Sequence, residues 1–154
     1  PQINLGVAVL IPDSYVEALD VRLSLYRRLA DIETETERES FAAELIDRFG
    51  PMPAETKQLM DVTAIKARCK ALGISKVDAG PKGAVFTFRD DTRVDPASLM
   101  TLVRARPSQL KLRPDSKLVI TGAAGSPEHR ISQVRDLLKE LEAASAPQAA
   151  EAAT

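Results

Sequence analysis

The chain has 154 residues, 44% hydrophobic and 28% charged, with 21 Lys and Arg against 22 Asp and Glu for a net charge of −1. That supports an apolar core and an ordinary charged surface, and it excludes a free-standing basic nucleic-acid binder. One Cys excludes an internal disulfide, one His excludes a His-rich metal site, and no apolar run reaches the roughly 18 residues of a membrane-spanning helix. No signal-peptide pattern opens the chain. The composition reads as a folded, soluble, cytoplasmic protein with few groups for catalysis. It begins Pro1-Gln2-Ile3, without Met and inside a strand-like pattern, as expected for a piece of a longer polypeptide.

Ile3, Leu5, Val7, Val9 and Ile11 alternate with Asn4, Gly6 and Ala8, which predicts one strand up to Pro12. Asp13 or Ser14 then offers a cap for a helix over about 17–32. Val16, Leu19, Leu23 and Tyr26 lie on one side of it and Leu25, Leu29 and Ile32 nearly opposite, which predicts packing on two sides. Thr34-Glu35-Thr36-Glu37 is a capping box for a second helix, striped by Phe41, Leu45 and Phe49, widened by Ala42 and Ile46, and closed by Gly50-Pro51. A third helix starts near Pro53, carries Leu59, Val62, Ile65, Cys69 and Leu72, and ends at Gly73.

Beyond Gly73 the period changes to two. Ile74–Ala79 and Ala84–Phe88 read as a hairpin across the turn Gly80-Pro81-Lys82-Gly83. Asp95-Pro96 starts a short helix with Leu99, Leu102 and Val103. Strands at Leu110–Leu112 and Leu118–Ile120 follow, then a helix from Ser126-Pro127 with Ile131, Val134, Leu138 and Leu141. The predicted order β-ααα-ββ-α-ββ-α is an α+β fold. We expect one domain over 1–142, helical over about 13–72 and sheet-rich over about 73–142, with a disordered Ala-rich tail at 143–154.

Charge is uneven. Residues 31–47 hold seven carboxylates (Asp31, Glu33, Glu35, Glu37, Glu39, Glu44, Asp47) against Arg38, net −6; residues 104–117 hold Arg104, Arg106, Lys111, Arg113 and Lys117 against Asp115, net +4. The acidic stretch is either a solvated surface or a docking patch for a basic partner. Glu44 and Asp47 share a helix face, and Arg48 stands at i+4 from Glu44. Local pairing and contact with another domain both remain open for them. Two carboxylates on one helix face lack the opposed geometry of a glycosidase. The basic stretch offers phosphate contacts, but no aromatic residues interleave to stack bases. Cys69 falls on an apolar stripe, and His129 has no metal-ligand spacing around it. Gly80–Gly83 lacks a phosphate-loop pattern, and Gly122–Ser126 reads as a plain loop before a helix. We expect no catalytic, cofactor or metal residue.

Ile11-Pro12, Tyr15, Arg22-Leu23-Ser24-Leu25-Tyr26-Arg27-Arg28 and Glu44-Leu45-Ile46-Asp47-Arg48-Phe49-Gly50-Pro51-Met52-Pro53 occur in that order. This pattern resembles the C-terminal domain of the Mfd family of bacterial transcription-repair coupling factors over roughly residues 3–142. Leu72-Gly73-Ile74 and the Gly83–Phe88 strand fit as well. The resemblance implies a parent that is an ATP-dependent DNA translocase, which removes stalled RNA polymerase and recruits excision repair through UvrA. This chain carries no Walker or helicase motif. In the family this domain folds back on the N-terminal UvrB-like module of the same polypeptide and masks its UvrA-binding surface. The resemblance then favours Glu44 and Asp47 as docking residues, with Arg48 supporting their geometry. An accessory domain touching nucleic acid through 104–117 is the alternative.

Overall fold

The computed structural model describes residues 1–145. The fold is α+β: β1 (Gln2–Asn4), α1 (Leu19–Ala30), α2 (Glu35–Phe49), α3 (Ala54–Leu72), β2 (Ile74–Gly80), β3 (Gly83–Phe88), α4 (Pro96–Ala105), β4 (Leu110–Arg113), β5 (Lys117–Thr121) and α5 (Pro127–Ala143). The chain forms two compact units. One is Val7–Ala67; the other joins Pro1–Gly6 to the residues from Arg68 onward. The division between the units falls inside α3, between Ala67 and Arg68, while the change from helix to strand comes at Gly73, between Leu72 and Ile74.

In the helical unit, Ile11, Val16, Leu25, Leu29, Phe41, Leu45 and Met60 form the core. Thr34 caps α2, and Glu37 meets its hydroxyl rather than its backbone N–H. The hydroxyl accepts from the Glu37 N–H at 3.1 Å and donates to the Glu37 carboxylate at 3.0 Å. Gly50 ends α2 at φ +90°, a conformation that side chains rarely adopt, and its N–H donates to the Ile46 carbonyl. α1 is shorter than expected. Residues 12–16 make a turn in which the Tyr15 and Val16 N–H groups donate to Pro12, and neither Asp13 nor Ser14 caps the helix.

Two-sided packing of α1 is found only in part: of the side formed by Val16, Leu19, Leu23 and Tyr26, Val16 and Tyr26 pack against the core. Leu25 and Leu29 are buried, whereas Leu19 and Leu23 are 60% and 47% exposed. On that side the chain meets α1 through polar links. The Ile11 N–H donates to the Tyr26 hydroxyl, and Arg22 donates to the Val16 and Glu17 carbonyls.

The long N-terminal strand is also corrected, because β1 holds only Gln2–Asn4. Gly6 turns at φ +64°, and the Leu5 and Gly6 carbonyls accept from Arg130 instead of a neighbouring strand. Farther on, Leu10 pairs with the start of α3. Its N–H donates to Glu55, and its carbonyl accepts from the Thr56 hydroxyl. The alternation past Gly6 therefore serves two environments, with Leu5 buried in one unit and Ile11 in the other.

The second unit is a five-stranded sheet in the order β1-β2-β3-β5-β4. β1 is parallel to β2, and the other neighbours are antiparallel. Val77, Phe86 and Leu118 align across three strands and are fully buried. An irregularity between Ile74 and Lys76 shifts the pleat, so Ile74 and Val77 are both buried despite their odd spacing. α5 lies against β2 and buries Ile131, Val134, Leu137, Leu138 and Leu141. The expected tail starts at 143, where Ala143 is the last residue of α5 and Ser145 bridges to Val94. The rest of that tail, 146–154, lies outside the described residues.

Candidate functional site: the acidic face of α2

α2 presents the acidic stretch, and its carboxylates have different surroundings. Glu44 is gripped from α1, with its two oxygens 2.6 and 2.7 Å from the Arg28 guanidinium, and Arg48 adds a contact at 2.9 Å. The bonds from Arg28 and then Arg48 pull the Glu44 carboxyl down to about 2. Both cations also stack on rings, Arg28 over Phe41 at 5.2 Å and Arg48 over Phe49 at 4.8 Å. The cluster therefore ties α1 to α2 and carries one net positive charge. Beside it runs an open groove of about 400 Å³, lined by Asp31, Thr36, Glu37 and Ser40 as well as Arg28, Phe41 and Glu44.

Of the three residues singled out by spacing, Glu44 and Arg48 are brought together. Asp47 is exposed and has no hydrogen-bond or ion-pair partner among the described residues. Glu35 pairs with the buried Arg38 at 2.8 Å, and Glu37 belongs to the cap. The uncompensated carboxylates are thus Asp31, Glu33, Glu39 and Asp47. A charge count over 31–47 misses Arg28 and Arg48 because they lie just outside that window.

Two residues hold the scaffold in ways that spacing does not show: Tyr15, named above only within the family pattern, and Arg130. The Tyr15 hydroxyl lies 2.7 Å from the Gly50 carbonyl and 3.1 Å from the Leu45 carbonyl, pinning the end of α2. Arg130, buried in the sheet unit, donates to the carbonyls of Leu5, Gly6, Ala124 and Gly125. Tyr15 lies outside every helical stripe. Nothing in the run Glu128-His129-Arg130 separates a buried Arg from an exposed one.

The basic stretch is partly neutralised. Arg106 pairs with Glu140 at 2.6 Å, and Arg113 and Lys117 both approach Asp115 at 3.5 Å. Lys111 and Arg113 lie on the edge strand β4, where charge discourages pairing with another chain. Cys69 is fully buried, and burial pushes its thiol up to about 12. His129 is exposed, and its N–H donates to the Ser126 hydroxyl. Gly80–Gly83 closes the β2–β3 hairpin. Among the described residues no group of three or more His, Cys, Asp or Glu is placed to hold a metal, and no helix is long and apolar enough to cross a membrane.

The fold defines the class first. It matches the solved crystal structure of a C-terminal domain of a transcription-repair coupling factor with a TM-score of 0.79, over 94% of this chain and 92% of that one; at 17% identity the likeness is one of fold. The sequence defines the family. The TRCF domain model matches residues 5–99, and the chain belongs to the transcription-repair coupling factor family as its C-terminal domain. It is 33% identical over 141 residues to the transcription-repair-coupling factor of Escherichia coli, covering 92% of this chain and 12% of that protein. It is 40% identical over 119 residues to that of Rickettsia conorii, covering 77% of this chain and 10% of that protein. The chain thus spans only about an eighth or less of these relatives.

Proposed function

We propose that this chain is a non-catalytic regulatory domain that docks on the N-terminal UvrB-like module of a longer polypeptide. Docking masks the UvrA-binding surface of that module until an ATP-driven DNA motor engages stalled RNA polymerase. Such a domain works in the cytoplasm, in contact with its own polypeptide rather than with a membrane or a cofactor. Asp47 is the observation that carries this reading. Among the described residues it stands without a cation, on a helix whose position is set by the Arg28–Glu44–Arg48 cluster. An uncompensated carboxylate on a fixed helix orients a basic partner and adds little affinity. That balance suits a contact that must close and later release.

The test is a competition. The separately prepared UvrB-like module is mixed with UvrA while this chain is added at increasing concentration. Masking predicts that the chain displaces UvrA; simultaneous binding of both contradicts it. Nucleic-acid contact through residues 104–117 has less support, because Glu140 offsets Arg106 and no aromatic residues interleave with the cations to stack bases.

A further inference from the structure

The sheet ends at β4, which has a neighbouring strand on one side only. The register shows which way its backbone groups point. Along β5 and its flanks, successive residues bond alternately to the strands on either side. The Phe88 N–H donates to the Ser116 carbonyl and the Gly122 N–H to that of Lys82, whereas the Thr121 N–H donates to Gln109. Even-numbered positions thus serve β3 and odd-numbered ones serve β4. Lys111 and Arg113, opposite Val119 and Lys117, therefore turn their N–H and C=O groups to β5. Leu112 turns both of its groups outward, and neither has a partner among the described residues. Leu110 turns its carbonyl the same way, while its N–H donates to Arg106.

The side chains add sign and polarity to that edge. Leu112 points to the same face as the buried Leu110, yet it is 38% exposed. Lys111 and Arg113 point to the other face and are exposed. Lys111 has no ion-pair partner among the described residues, and Arg113 reaches only Asp115, at 3.5 Å.

We propose that the β4 edge takes an extended acidic polypeptide segment as an added strand. The segment alternates acidic and apolar residues, with carboxylates beside Lys111 and Arg113 and an apolar side chain against Leu112. The outward amide and carbonyl of Leu112 specify a strand, and the two cations specify its charge. A second copy of this chain does not fit. Pairing two β4 edges about Leu112 sets cation against cation in either strand direction, which destabilises a sheet. A phosphate backbone would meet the cations but leave the Leu112 backbone and side chain unused. Pro114 has no N–H and limits the added strand to a few residues, so the contact is short and reversible. This edge lies in the sheet unit, and the inference does not depend on docking through α2.

The test uses the whole chain and two five-residue probes with capped ends, one alternating Glu and Val and one alternating Lys and Val. The Glu probe is expected to bind at least about tenfold more tightly than the Lys probe, and salt weakens it. The Leu112 amide, exposed in the free chain, then exchanges more slowly with the Glu probe bound, a change that an ion pair between side chains alone does not produce. Lys111→Glu combined with Arg113→Glu, two exposed positions, reverses the preference between the probes. Equal binding of the two probes, binding of neither, or binding that leaves Leu112 exchange unchanged overturns strand addition. Binding of a single-stranded oligonucleotide without binding of the Glu probe overturns it in favour of phosphate contact.

Discussion

Arg28 on α1 and Glu44 on α2 meet in a two-point contact, Nη2 to Oε1 at 2.6 Å and Nη1 to Oε2 at 2.7 Å. It joins two helices through residues 16 positions apart. It also takes the most obvious carboxylate of the acidic face out of play as a free charge.

The first prediction concerns acid stability. The Glu44 carboxyl is lowered from 4.5 to about 2 by its bonds to Arg28 and Arg48. A lowered folded-state value means that the unfolded chain takes up the proton more readily. The stabilisation is therefore complete above about 4.5 and is lost as pH falls toward 2. The cluster is partly exposed and screened, so Glu44→Gln should cost only about 1 kcal/mol at neutral pH. Denaturant titrations of both proteins should show that gap closing as pH falls from 4.5 to 2. A gap that stays constant over the range removes the pair from the account.

Tyr15→Phe keeps the ring that packs edge-on against Phe49 at 5.8 Å but deletes the hydroxyl that binds Gly50 and Leu45. The expected loss is about 1 kcal/mol, because the part-buried Gly50 carbonyl loses its side-chain donor. Amide exchange should speed up at the C-terminal end of α2. Unchanged exchange there shows that Gly50 and Pro51 end the helix without Tyr15.

Arg130 supports the sheet unit through four backbone carbonyls at once. Arg130→Met should cost about 3 kcal/mol, and Arg130→Lys should recover little of it, because an ammonium cannot spread over four acceptors in that planar arrangement. Amide protection at Gln2–Asn4 is the local readout. Full protection in Arg130→Met shows that pairing with β2 alone holds β1.

Cys69 is fully buried, with a thiol pushed up to about 12 by desolvation. A thiol-specific reagent should therefore react with the native chain only as fast as the fold opens, and denaturant should accelerate the reaction steeply. Rapid labelling of the native protein contradicts this.

Sequence legibility follows the range of the interaction. The Thr34–Glu37 cap and the Gly50 stop were readable because their partners lie within one helical turn. The hairpin around Gly80–Gly83 was readable because two strands meet across a short turn. The alternation from Ile3 to Ile11 misled because it runs unbroken across Gly6, where the chain leaves one unit for the other. Leu19 and Leu23 misled because periodicity detects an apolar face without showing that anything covers it. At the candidate site, spacing showed that Arg48 could pair with Glu44 and left open what Glu44 and Asp47 meet beyond the helix. The pairing of Arg28 with Glu44 depends on how α1 meets α2, which no spacing within one helix encodes.

The central claim is that the acidic face of α2 is a docking surface, with Asp47 among its free charges. The most direct test is to titrate this chain and its Asp47→Lys variant into the UvrB-like module at low and high salt. The account predicts binding by the wild type that salt weakens and that the charge reversal reduces by about tenfold or more. Equal binding by the two proteins, with equal salt dependence, would contradict it and leave α2 as a solvated helix face.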